Sequence, residues 1–212
     1  MNLIKQLGDT MSYTSIVAVG AHPDDFELGA AGTLKKFLNQ GHKVYGVVVT
    51  KGNRGGHPED YSECCASAEY LNLTDLIFLD FEDTAVERTG STVTAIENVI
   101  KKINPASVFT HTPNDRHQDH HYTALAAQSA ARKVDNIYLF ETPSTTYHFI
   151  PHAFSDIEDT LENKIEALKR YQSQVQKGII DIDTVIGKAR YHGHNNNMRY
   201  AEAFEVNHMR LI

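Results

Sequence analysis

Two short stretches hold the side chains best suited to chemistry. The first is His22-Pro23-Asp24-Asp25-Phe26-Glu27, and the second is Asp115-Arg116-His117-Gln118-Asp119-His120. Catalytic zinc usually takes three N or O ligands from the protein and keeps a fourth position for water. His22 and Asp25, at i and i+3, can face one point from a turn entering a helix, and His120 would supply the third ligand. Asp24 then stands beside a ligand as a candidate general base. His117 precedes His120 by about one helical turn and is a candidate acid or oxyanion donor. Asp119 can hydrogen-bond an imidazole and fix its tautomer. The bland reading is that these carboxylates cap helices, and a His-x-x-His pair alone says little. Two clusters rich in both His and Asp are harder to explain as caps. On the residues alone both readings stand.

The elements around the clusters decide whether they can meet. Ser15 to Ala21, Lys43 to Thr50, Leu76 to Phe81, Ser107 to Thr112 and Ile137 to Thr142 read as buried strands rich in β-branched and aromatic residues. Helical patterns alternate with them at Phe26 to Gln40, Glu59 to Leu73, Thr92 to Ile103 and His120 to Lys133. Gly41 closes the first helix, and Asn104-Pro105 ends the third. Lys51 to Pro58 is a Gly-rich loop. This alternation predicts an α/β fold, a Rossmann-like three-layer α/β/α sandwich with a mostly parallel sheet. Ala153 to Ile157 adds an edge strand. Asp159 to Lys177 reads as one long helix, 179–199 as a short helix, and 200–212 as a closing strand or loop. Residues 1–14 read as an extension, with Met11 an alternative start, and 15–212 as a single domain. In open parallel sheets, ligands bind beyond the C-terminal ends of the strands. Both clusters fall at such ends.

Composition excludes several classes. The chain has 212 residues, 41% hydrophobic and 22% charged, with a formal net charge of −7. That sign is the opposite of what coating a phosphate backbone requires, so no nucleic-acid partner is expected. No apolar run approaches a membrane span. The N-terminal residues lack the pattern of a signal peptide. The adjacent Cys64 and Cys65 offer no disulfide framework, which makes a cytoplasmic location the default. They read as core thiols. The first strand is followed by GAHPDDFELG rather than G-x-G-x-x-G, so the phosphate cradle of a nucleotide-binding enzyme is missing.

At these residues the sequence resembles the LmbE-like (PIG-L) family of zinc-dependent de-N-acetylases. The family signature is A-H-P-D-D-x-E after the first strand and a later H-x-D-H. Here these read Ala21 to Glu27 and His117-Gln118-Asp119-His120. Leu28 to Leu34 (LGAAGTL), Asp115-Arg116, Lys164 to Gln174 (KIEALKRYQSQ) and Tyr200 to Phe204 (YAEAF) are similar to further family segments in the same order. The resemblance implies that His22, Asp25 and His120 bind Zn2+, with Fe2+ or Co2+ as alternatives. Asp24 is then the general base, His117 the oxyanion donor or acid, and Asp119 the residue that orients a histidine.

The implied activity is removal of an acetyl group from an N-acetylated amino sugar or glucosaminyl conjugate. Alternatives are an amidase of the same family acting on a larger amide, or an inactive sugar- or metal-binding module. Arg54, Arg116 and Tyr200 are the candidate substrate-binding residues. The sequence departs from the family at Thr50-Lys51-Gly52-Asn53, where many members have T-x-G-E. His192 and His194 read as part of a polar loop. A small-molecule partner and a homo-oligomer are expected.

Overall fold

The structure is a computed structural model and describes residues 14–50 and 59–210. Valine and isoleucine dominate Ser15–Gly20 (β1) and Lys43–Thr50 (β2), and their branched side chains suit a pleated surface covered on both faces. With Asp75–Phe81 (β3), Ser107–His111 (β4) and Asn136–Phe140 (β5) they form the parallel part of the sheet. Ala153–Asp156 (β6) and Ala201–Met209 (β7) complete it in the order β3-β2-β1-β4-β5-β7-β6. The helices are Asp25–Asn39 (α1), Glu59–Leu71 (α2), Gly90–Ile103 (α3), Gln118–Ala130 (α4), Leu161–Leu168 (α5), Gln172–Gln176 (α6) and Ile182–His194 (α7). Alternate strand residues feed two cores. Val17, Val19 and Val47 pack with Ile96 and Ala127 on one face, and Ile16, Ala18 and Val48 pack with Phe26, Leu34 and Tyr171 on the other. This is the expected three-layer α/β/α sandwich.

From β1 the chain builds β2 and β3 to one side, then crosses back to place β4 on the other. The direction of winding therefore switches between β1 and β4. At such a switch the two strand exits diverge and leave a crevice. The His22 and His120 stretches leave the sheet from these two neighbouring strands.

One expectation changes, and another gains its place in the sheet. The stretch Asp159 to Lys177 is not one helix but a 3-10 turn at Glu158–Thr160 followed by α5 and α6. The break falls where Tyr171 is fully buried and donates its hydroxyl to Glu27 Oε1 at 2.7 Å. Just beyond it, Ser173 bonds Glu63 through both its backbone N–H and its hydroxyl. A straight helix would carry this tyrosine past the core. The closing strand, β7, is an internal strand, antiparallel to both β5 and β6.

α1 carries the first cluster, and it is fixed with little slack. A Cβ on Gly32 would lie 2.8 Å from Ile157, and one on Gly29 would run into the Phe140 ring. A buried ion pair also reaches the backbone in the middle of α1. Lys164 Nζ donates to Leu28 O at 2.7 Å and to Glu202 Oε1 at 2.6 Å. Glu202 accepts the N–H groups of Gly32 and Thr33 at 3.0 and 2.7 Å. The KIEALKRYQSQ and YAEAF segments thus clamp the helix that presents the first cluster. Removing one partner leaves the other charge buried and alone, which costs about 3–5 kcal/mol. Lys164→Ala should lose stability on that scale, read by urea unfolding against the unaltered protein.

Candidate metal centre

His22, in the turn after β1, and His120, in the first turn of α4, bring one nitrogen each to the Asp25 carboxylate. His22 Nδ1 lies 3.2 Å from His120 Nε2. Asp25 Oδ1 lies 3.2 Å from His120 Nε2, and Asp25 Oδ2 lies 3.5 Å from His22 Nδ1. Ligands held about 2.0–2.1 Å from a tetrahedral zinc are about 3.3–3.4 Å apart. The donor set therefore fits a divalent ion, both in spacing and in being N, N and O.

Each imidazole is also turned so that this nitrogen is free to bind. His22 Nε2 meets Asp119 Oδ2 at 3.1 Å and Asp83 Oδ1 at 3.2 Å. His120 Nδ1 meets Asp115 Oδ2 at 3.3 Å and the hydroxyls of Ser144 and Thr142 at 3.1 and 3.3 Å. A carboxylate behind a ring holds the proton on that side and leaves the lone pair on the other. Asp119 is itself fixed by the backbone N–H groups of Thr84 and Val86, at 2.7 and 3.3 Å. The rings of His111 and His117 stack on either side of His120, with centroids 4.2 and 4.5 Å away.

The charge balance favours a cation. Burial works against a charged imidazolium, yet the Asp119, Asp25 and Asp83 carboxylates hold the His22 pKa well above its usual value. Burial is likewise outweighed at His120, where Asp25 and Asp115 raise the pKa to about 9. Burial also disfavours the Asp25 carboxylate, but His120 and His111 hold it well below the ordinary range.

Asp24 behaves differently. It occupies the N-cap position of α1 in a left-handed conformation, φ 87°, and its side chain caps nothing. A non-glycine residue held there costs on the order of 1–3 kcal/mol, so the strain is not explained by capping. Burial, Asp25 and Glu27 raise its pKa well above the usual value. His117 is the residue that does cap a helix. Its Nδ1 accepts the Asp119 N–H at 3.2 Å at the start of α4. That bond leaves Nε2 as the protonated nitrogen of a neutral ring. Burial and the neighbouring His120 and His22 lower its pKa. One ring nitrogen from each of His22, His117 and His120 lies within 4.8 Å of the others.

Sequence reasoning missed His111, Asp83, Thr142 and Ser144. His111 is the last residue of β4 and fully buried. Its Nε2 lies 3.1 Å from both Ala21 N and Asp25 Oδ2, and burial lowers its pKa to about 4. A histidine ending a strand beneath a proposed site was a readable signal. Asp83 had no such mark. Of the candidate substrate residues, Arg54 and the Gly-rich loop lie outside the described residues. Arg116 is exposed, and its Nε donates to Ser144 O at 3.2 Å. Tyr200 packs with Ile157, Leu161, Ile165 and Ala189, between α5 and α7, in a cluster apart from the three ligands. His192 and His194 lie on α7 rather than in a loop.

Residues 17–131 match the PIG-L family, described as GlcNAc-PI de-N-acetylase. The chain belongs to the PIG-L family of de-N-acetylases. It is similar to "Uncharacterized deacetylase YaiS" of Escherichia coli K12, 35% identical over 167 residues, covering 74% of this chain and 90% of that one. It is also similar to the diacetylchitobiose deacetylase of Thermococcus kodakarensis, 27% identical over 215 residues, covering 88% and 80%. The solved structure of GalB, the 4-carboxy-2-hydroxymuconate hydratase of Pseudomonas putida KT2440, superimposes with a TM-score of 0.83 at 21% identity, covering 94% and 98%. That likeness is one of fold. It means that the chemistry of this PIG-L chain has to be argued from the site.

Within the family match, the A-H-P-D-D-x-E and H-x-D-H residues are the ones that converge here. Replacing a carboxylate behind a metal-binding histidine typically lowers metal affinity about 10–100-fold. Asp119→Asn should do so for zinc, measured by competition with a chromophoric chelator.

Proposed function

We propose that this protein is a zinc-dependent hydrolase that removes the acetyl group from an N-acetylated amino sugar or glucosaminyl conjugate. One observation carries the proposal. Three donors, His22 Nδ1, Asp25 and His120 Nε2, sit at the spacing of a metal shell, and the buried carboxylate of Asp24, which caps nothing, lies within electrostatic reach of all three residues. A divalent ion bound there lowers the pKa of water to near 7 and polarises a carbonyl.

The remaining work falls to side chains of this chain. Asp24 takes the proton from the attacking water. His117, protonated on Nε2, donates to the oxygen of the acetyl carbonyl as negative charge grows on it. The leaving nitrogen must gain a proton before it departs. Asp24 returns the one it took, while His117, a neutral ring with its one proton on Nε2, remains a hydrogen-bond donor to the oxyanion. The products are acetate and a free amine. His111 and Asp119 hold Asp25 and His22 in place without touching the reacting atoms.

The amino-sugar substrate is supported by the family description and by the diacetylchitobiose deacetylase relative. An inert binding module would have no use for a strained, buried carboxylate beside the ligands. Among the described residues, no helix is long and apolar enough to cross a membrane, which suits a freely diffusing substrate or a conjugate's head group.

Two outcomes test the reading. Chelation should abolish acetate release from N-acetyl sugars, and added Zn2+, Fe2+ or Co2+ should restore it. General acid–base groups typically contribute about 10²–10⁴ in rate. Asp24→Asn should lower kcat by that factor while still holding metal, as elemental analysis would show. A wild-type rate in this variant would remove Asp24 from the mechanism. Release of a larger acid in place of acetate would identify the amidase.

A further inference from the structure

The stretch 141–152 leaves β5 at the sheet edge that carries the metal-ligand cluster. Its first residues serve that cluster, through the Thr142 and Ser144 hydroxyls on His120. It is stitched to the second motif as well. Arg116 N–H bonds Ser144 O at 3.2 Å, and Thr146 N–H bonds Asn114 O at 2.8 Å. Beyond these bonds the stretch forms one wall of a pocket of about 310 Å³. The opposite wall is the C-terminal end of α7 and the residues after it, including Tyr191, His192, Asn195 and Asn196.

Nothing in the metal chemistry uses this pocket, yet it has the features of a binding site. Tyr147 is 91% exposed and Tyr191 is 65% exposed, and both line it. Large exposed aromatic surface next to a formed pocket is a sign of recognition. Glu141 joins them. Its Oε1 lies 2.6 Å from His192 Nε2, and its Oε2 accepts from Lys188 Nζ at 3.0 Å. Burial opposes the charge on Glu141, but these two partners hold its carboxyl below the usual range. A carboxylate fixed in this way keeps lone pairs for hydroxyl donors. The amides of Asn195 and Asn196 offer both donors and acceptors.

We propose that this pocket is a subsite for a second, neutral sugar ring, linked to the N-acetylated sugar held at the metal centre. The proposal rests on the deacetylase reading and narrows its substrate class to oligosaccharides. A pyranose has apolar C–H faces and a rim of hydroxyls. Tyr147 and Tyr191 suit the faces, and Glu141 with the two asparagines suits the rim. Ligand pockets run from about 300 Å³ upward, so this one takes a single ring rather than a long acyl chain. Its described lining contains no Lys or Arg, and it presents a carboxylate. Both features disfavour a phosphate or a carboxylate-bearing aglycone.

The test compares kcat/KM for N,N'-diacetylchitobiose and for N-acetylglucosamine. The unaltered enzyme should prefer the disaccharide at least tenfold. In Tyr147→Ala and Tyr191→Ala that ratio should fall towards one, mainly through KM. Both side chains are exposed, so the variants should fold, and a thermal melt checks this. A ratio near one in the unaltered enzyme, or a ratio unmoved by both variants, overturns the subsite, as does a stronger preference for N-acetylglucosaminyl malate. If neither sugar releases acetate, the deacetylase reading fails separately. Calorimetric titration with diacetylchitobiose then decides the subsite. Binding that is lost in Tyr191→Ala upholds it, and no binding to the unaltered protein overturns it.

Discussion

The arrangement turns on one buried carboxylate, that of Asp25. It accepts the backbone N–H of His22 at 2.7 Å and faces side-chain nitrogens of His22, His111 and His120. A charge taken out of water has to be matched or it costs several kcal/mol. Here the surrounding carboxylates, Asp83, Asp115 and Asp119, add negative charge instead of relieving it. Protons on His22 and His120 answer part of that field, and a divalent cation answers it better, because it can be shared by all three donors at once. Both the charge and the spacing of the cluster therefore suit a shared divalent cation.

Holding such a cluster against its own repulsion requires a stiff frame. The frame comes from β1 and β4, which are paired directly and carry one motif each at their ends. α1, which carries the first motif, has to be held against it. Its inner face is locked to β5 by the contact of Gly29 with Phe140, and its backbone is gripped by Lys164 and Glu202. Glu27, two residues after Asp25, is gripped in turn by Ser67 and Tyr171 at 2.8 and 2.7 Å. Segments far away in sequence thus act on the site through packing. Lys164 and Tyr171 of KIEALKRYQSQ and Glu202 of YAEAF hold α1 in this way.

The strands and the parallel order were legible because β-branched runs and alternating helices leave few topologies. That the two motifs would meet was legible, because His and Asp at strand ends are scarce and their spacing is informative. What was not legible depended on contacts across the sheet. Asp83 reaches His22 from the segment after β3, and no local pattern marks it. Tyr171 breaks a helix that periodicity would continue, because Glu27 needs a donor. Tyr200 looked like a site residue by its place in a motif, but the structure sets it among Ile157, Leu161 and Ile165. His192 read as loop, yet it lies on α7 with its ring against Glu141.

A fold shared with a hydratase raises the question of what in this architecture decides the reaction. The candidate ligands hang from a strand end and the first turn of α4, so the fold can persist while the side chains placed there, and the reaction with them, change. Activating water is common to hydration and to amide hydrolysis. Amide hydrolysis also builds negative charge on the acyl oxygen, and that asks for a hydrogen-bond donor aimed at it. On the proposed reading His117 would meet this need, because it caps α4 through Nδ1. The cap fixes the tautomer and so directs the remaining N–H away from the helix. A capping bond, worth about 1 kcal/mol as stability, here sets which ring nitrogen carries the proton.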